Sequence, residues 1–176
     1  MFDLDGTLLL SDRSLGSYEI LPGAAELLGE LGRRAFPFVV LTNGSAYPPA
    51  AQAAKLRSAG LPVADQCLLT PSSIAADLMV RNGVGRVLVL GSPGVGHALR
   101  EAGIETVQPG GSDEQEVQAV YVGWYPECTM QAIEAACHAI WAGARLYVAS
   151  DVPFFATKQG RAWISQGSRL SAIVAA

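Results

Sequence analysis

Short apolar runs alternate along the chain with segments whose apolar residues recur every three or four positions. That alternation predicts an α/β architecture with a mostly parallel sheet. The runs of strand length are 36–41, 86–90 (RVLVL), 104–107, 117–122 and 146–149. Continuous apolar runs suit parallel strands covered on both faces. Helical spacing is clear after Pro22-Gly23, where Ala24, Leu27, Leu28 and Leu31 share one stripe. Another helix opens at Pro48-Pro49 and closes near Gly60. Ser72 or Ser73 is placed to cap a helix that runs through Met79 and stops at Asn82-Gly83. A short helix runs to Ala102, and residues 108–116 read as a solvated loop. Thr129 caps a last helix, with Met130, Ile133, Cys137, Ile140 and Trp141 on its predicted apolar stripe. Ser150-Asp151-Val152-Pro153 breaks the strand that follows, and residues 170–176 again look helical.

Composition narrows this picture. With 176 residues, half of them apolar, the chain can bury one substantial core or two smaller ones. A net charge of −4 and scattered Lys and Arg leave no basic stripe for nucleic acid. Cys67, Cys128 and Cys137 form neither a CxxC pair nor a metal-ligand spacing, which fits a reducing compartment. There is no apolar run of the ~18 residues needed to span a bilayer and no signal-peptide pattern, so the expectation is a cytoplasmic protein without a membrane partner.

The chemistry concentrates at the start, in Asp3-Leu4-Asp5-Gly6-Thr7. An extended backbone sends alternate side chains to one side, so Asp3 and Asp5 emerge together. Gly6 permits a sharp turn beyond them, and Thr7 can hydrogen-bond back into it. If residues 1–2 end a buried strand, both carboxylates stand at its carboxyl edge, where open α/β sheets bind ligands. Two adjacent carboxylates repel unless a proton or a cation relieves them, and Mg²⁺ is the natural cation for hard oxygen donors beside a phosphate. Asp3 then suits a nucleophile attacking phosphorus, and Asp5 a general acid and base. At ordinary residue usage the pattern D-x-D-G-T arises by chance in roughly one of several hundred chains this long, which favours the catalytic reading over a solvated turn. A calcium loop is excluded, because Gly6 at loop position six would make Met1 a ligand.

This pentapeptide resembles motif I of the haloacid dehalogenase-like (HAD) superfamily, and Leu41-Thr42-Asn43 resembles its motif II. The second Asp is like that of the phosphatase branches. Pro22-Gly23-Ala24, Thr42-Asn43-Gly44-Ser45, residues 143–151 and the stretch near Gly160 are similar to the NagD and 4-nitrophenylphosphatase subfamily. The resemblance implies a Rossmann-like core, residues 1–68, an inserted α/β cap, residues 69–150, and a return to the core at 151–176. It implies a Mg²⁺-dependent phosphatase acting on a small phosphorylated metabolite through an aspartyl-phosphate intermediate. Asp3 would be nucleophile and metal ligand. Asp5 would be acid/base, with its main-chain carbonyl on the metal. The Thr42 hydroxyl and the amides of Asn43 and Gly44 would bind the phosphate, as turn amides at a strand end do for anions. Asp151 resembles a position facing the substrate, and the resemblance allows a homodimer through the cap.

The superfamily's motif III Lys or Arg and motif IV acidic pair do not occur before Ala176. The expectation is therefore a truncated sequence that by itself turns over aryl phosphates weakly or not at all, while a longer chain is active. Lys158 lies too early in the chain to be the motif III cation. The alternative is an inactive HAD-fold protein that binds a ligand or partner. A nucleotide-binding module built on Gly91-Ser92-Pro93-Gly94-Val95-Gly96 is a third reading, but GxxGxG matches neither the dinucleotide fingerprint nor the P-loop. His97 and His138 read as structural or exposed. Trp124-Tyr125-Pro126 and Phe154-Phe155 suit either a cleft lining or core packing.

Overall fold

A computed structural model describes residues 1–12, 15–111, 116–152 and 154–163. They group into two units. The first holds residues 1–43, 49–70 and 154–163, and the second holds 44–48 and 71–153.

In the first unit, β1 (Phe2–Asp3) lies parallel to β4 (Val40–Leu41), which lies parallel to β5 (Leu68–Leu69). In register, Asp3 stands beside Leu41, and Leu41 beside Leu69. A second sheet has β2 (Leu9–Ser11) between β3 (Tyr18–Ile20) and β10 (Phe154–Thr157), with β11 (Gly160–Trp163) outermost. Helices α1 (Ala24–Arg33) and α2 (Pro49–Ser58) complete this unit. Its core is Leu4, Leu8, Leu9, Leu28, Val40, Leu56, Leu61 and Leu68 with their neighbours. Leu27 of the predicted α1 stripe is exposed, whereas Ala24 and Leu28 are buried. The predicted strand at 36–41 shrinks to its last two residues. Phe36 is exposed, and the ladder with β1 starts only at the Val39 carbonyl, which accepts from Phe2 N at 2.9 Å. Residues 36–38 pair with no strand among the described residues, although Phe38 still meets Phe2 edge-on at 6.3 Å.

In the second unit, β7 (Glu105–Val107), β6 (Arg86–Leu90), β8 (Ala119–Val122) and β9 (Arg145–Val148) form a parallel sheet in that order. The RVLVL run is buried on both faces. Val87 and Val89 pack with Ala75, Ala76 and Met79 of α3 (Pro71–Arg81) and Leu99 of α4 (His97–Glu101). Leu88 and Leu90 pack on the other face against α5 (Met130–Trp141). Helix α3 begins at Pro71, so Ser72 and Ser73 occupy its first turn and neither is its cap. The buried Ser72 hydroxyl lies 3.1 Å from that of Tyr121, whose pKa burial pushes up to about 12.

Of the stripe predicted for α5, Ile133 and Ile140 are half-buried and pack against the core, but the fully buried face is another one. Ala132, Ala135, Ala136 and Ala139 face the sheet, while Met130 and Trp141 are 77% exposed. A helix seats closest on a flat parallel sheet through its small residues, and reading by size alone picks the wrong face. The predicted cap does form, with Thr129 Oγ1 accepting from Ala132 N at 3.1 Å. Thr129→Ala is expected to cost about 1 kcal/mol, a fall of roughly 2–4 °C in Tm by calorimetry. Thr129→Ser should restore the loss.

Segment 44–48 groups with the second unit although both its flanks belong to the first. Trp124 N donates to Ser45 Oγ at 2.8 Å, and a Cβ on Gly94 would collide with the Ala46 carbonyl oxygen. Two strands, β10 and β11, follow the segment predicted to end the sheet pattern. The helical-looking stretch 170–176 and residues 112–115 of the predicted 108–116 loop lie outside the described residues.

Candidate active site

The site residues are brought together by the parallel ladder β1–β4–β5, whose carboxyl ends carry Asp3, Thr42 and Thr70. Leu4 N donates to the Leu41 carbonyl at 2.9 Å, which ties the motif to the end of β4. Beyond Leu4 the chain turns at once. Gly6 adopts φ +88°, and its N–H donates to the Leu9 carbonyl at 2.8 Å. A Cβ on Gly6 would sit 3.2 Å from Ala156 Cβ of β10, so both conformation and space require glycine. Gly6→Ala should therefore cost on the order of 1–3 kcal/mol in stability, read as a lower midpoint in urea. Adding Ala156→Gly should recover only the part due to crowding.

The two carboxylates occupy different environments. Asp3 is exposed, with Thr7 Oγ1 donating to its Oδ2 at 3.3 Å. Asp5 is withdrawn from solvent, and hydroxyls hold both its oxygens. Ser11 Oγ donates to Oδ1 at 2.6 Å, and Thr42 Oγ1 donates to Oδ2 at 3.1 Å. Burial pushes the Asp5 carboxyl above its usual pKa, the two hydroxyls oppose that shift, and the nearby Asp3 charge adds to it. One carboxylate is thus ready to meet a ligand while the other is biased to keep a proton, as a nucleophile and a general acid require.

Asp3, Asp5 and Thr42 come together as the sequence suggests, and Asn43 follows at an exposed position. Thr42 is buried and spends its hydroxyl proton on Asp5. Gly44 and Asp151 belong to the second unit, Gly44 half-buried and Asp151 exposed. Lys158 lies on the β10–β11 turn, its ammonium 3.3 Å from Ser17 Oγ. His97 faces Glu101 at 3.3 Å, and His138 stacks near Trp141. The glycine loop lines a cleft of about 570 Å³ in the second unit with Tyr47, His97, Arg100 and Trp124. Phe154 lies beneath the Arg161 guanidinium. Ser11 was not singled out by motif reading, although a lone hydroxyl ending the apolar run Leu8-Leu9-Leu10 was a visible signal.

Among the described residues, no group of three or more His, Cys, Asp or Glu side chains gathers to hold a metal. Asp3 and Asp5 nevertheless fit Mg²⁺, which is commonly held by one or two carboxylates together with waters and substrate phosphate. Burial is the main cause of the raised Asp5 pKa and the nearby Asp3 charge the smallest, and a cation between the carboxylates would relieve that repulsion.

The sequence profile of the haloacid dehalogenase-like hydrolases matches residues 1–105, and the chain belongs to that family. Within it the chain is similar to chronophin of Mus musculus, 34% identical over 86% of this chain and 52% of the relative. It is 26% identical to an acid sugar phosphatase of Staphylococcus saprophyticus, over 82% of this chain and 52% of that protein. The crystal structure of a 4-nitrophenylphosphatase from Thermotoga maritima superposes with a TM-score of 0.79 at 25% identity, covering 98% of this chain and 61% of that one. These likenesses place the chain with the NagD and 4-nitrophenylphosphatase type of HAD fold, and it spans about half the length of the curated relatives it matches.

Proposed function

We propose that this chain carries the nucleophile and the acid/base of a Mg²⁺-dependent phosphatase for small phosphomonoesters. The observation that carries the reading is the division of labour between an exposed Asp3 and a desolvated, hydroxyl-held Asp5 two residues away. The relatives' names, acid sugar phosphatase and 4-nitrophenylphosphatase, support sugar or aryl phosphates as the substrate class.

Asp3 attacks phosphorus, and its carboxylate oxygen forms the new P–O bond as the bond to the leaving oxygen breaks. Asp5 gives that oxygen its proton. The Asp5 carboxylate then takes a proton from the water that attacks the aspartyl phosphate, releasing phosphate and restoring Asp3. Thr42 and the Asn43 amide orient the phosphoryl oxygens. Asp3 and the Asp5 main-chain carbonyl would hold Mg²⁺, which would supply positive charge to offset that of the carboxylates and the phosphoryl group. Residues 1–68, 69–150 and 151–176 serve as core, cap and return segment in this reading.

Borohydride reduces an aspartyl phosphate to homoserine, so quenching turnover of 4-nitrophenyl phosphate with borohydride tests the pathway. Homoserine at position 3 by peptide mass spectrometry, dependent on Mg²⁺ and lost with EDTA, is the expected result. Turnover without that label would point to direct attack by water and sink the proposal.

A further inference from the structure

We propose that Ser11 is a positioning residue which fixes the orientation of the Asp5 carboxyl; the inference rests on the acid/base role given to Asp5 above. Ser11 ends β2, is 1% exposed, and donates to Asp5 Oδ1 at 2.6 Å. Its own strand is paired on both sides, with Tyr18 in β3 and Thr157 in β10, so the hydroxyl is carried on a braced backbone. The Ser11 carbonyl is also occupied, accepting from Lys158 N at 2.9 Å.

The consequence follows from donor counting. A serine hydroxyl has one proton, and this one is spent on Oδ1. With Oδ1 anchored by Ser11 and Oδ2 by Thr42, the plane of the carboxyl is fixed from two sides. Oδ2 is the oxygen that faces Thr42. When a phosphoryl group draws the Thr42 hydroxyl away, Ser11 remains as the donor that keeps the carboxyl from rotating. A carboxyl free to rotate would present the proton from either oxygen and at the wrong angle for part of the time, a loss of orientation rather than of binding.

The chemical signature is dependence on the leaving group. Nitrophenolate departs with little protonation, whereas a sugar or glycerol oxygen departs only with the proton of the acid. In the protein with its full natural reading frame, Ser11→Ala should lower kcat for glycerol phosphate roughly tenfold more than for 4-nitrophenyl phosphate, with KM unchanged, a difference of about 1.4 kcal/mol. Ser11→Cys fills the same space with a weak donor and should reproduce the selective loss. Ser11→Thr keeps the hydroxyl and should restore the wild-type ratio. Equal losses on both esters, no loss, or wild-type behaviour of Ser11→Cys would each overturn the proposal, since they describe packing and not carboxyl orientation. Homoserine trapped at Asp3 alongside equal losses would overturn the role of Ser11 alone. Absence of trapped homoserine in the wild type would remove the phosphatase reading and this inference with it.

Discussion

Asp3→Asn in the protein with its full natural reading frame is expected to abolish phosphomonoester hydrolysis, lowering kcat by on the order of 10⁴-fold or more. Asn matches the shape of Asp and still offers Thr7 an acceptor, so the turn that now holds Thr7 Oγ1 at 3.3 Å from Asp3 should survive. What disappears is the anionic oxygen that forms the bond to phosphorus, together with a charge that attracts the metal. Because Asp3 is exposed at the end of β1, stability should stay within about 0.5 kcal/mol of the wild type. The measurement is steady-state turnover of 4-nitrophenyl phosphate with Mg²⁺, paired with thermal unfolding. Activity within tenfold of wild type in a folded variant would contradict the assignment of Asp3 as nucleophile.

Asp5→Asn should separate activity from stability in opposite directions. Turnover falls roughly 10²- to 10⁴-fold, the usual worth of a general acid/base. The metal-free protein should at the same time become more stable at neutral pH, by about 1 kcal/mol or roughly 2–4 °C in Tm. Burial raises the Asp5 pKa in the folded state, so the folded protein binds this proton more tightly than the unfolded chain does. Stability contributed by Asp5 is therefore lost as pH climbs from the unfolded pKa through the higher folded one. Above that window the full cost of a buried charge is present, and Asn removes it. Below about pH 4 both states hold the proton, and the advantage of Asn should vanish. A Tm gain that persisted unchanged at low pH, or a loss at neutral pH, would refute this account of Asp5.

What could be read from the chain came from short-range geometry. Period-two alternation places Asp3 and Asp5 on one side, Gly6 is needed at φ +88°, and Thr129 caps its helix because a hydroxyl reaches the third amide beyond it. The doubly buried RVLVL strand was legible for a similar reason, since a run without alternation has no polar face to expose. Such features are settled within a few residues, and their residue types carry them.

Other features depend on which partner a segment meets. Phe36 is apolar yet exposed, and pairing with β1 begins only at Val39. In α5 the sheet selected four alanines over Met130 and Trp141, since close approach rewards small side chains. Segment 44–48 joined the second unit through Ser45 and Trp124, which are 79 positions apart.

The active-site motif shows the same split. The pentapeptide alone determined two carboxylates and the turn beyond them in this HAD-family chain. Tertiary structure alone decided that they differ, by leaving Asp3 in solvent and half-burying Asp5 between hydroxyls from β2 and from the end of β4. Proton affinity is set by desolvation and by neighbours distant in sequence, so two identical side chains acquired two environments only when the strands came together.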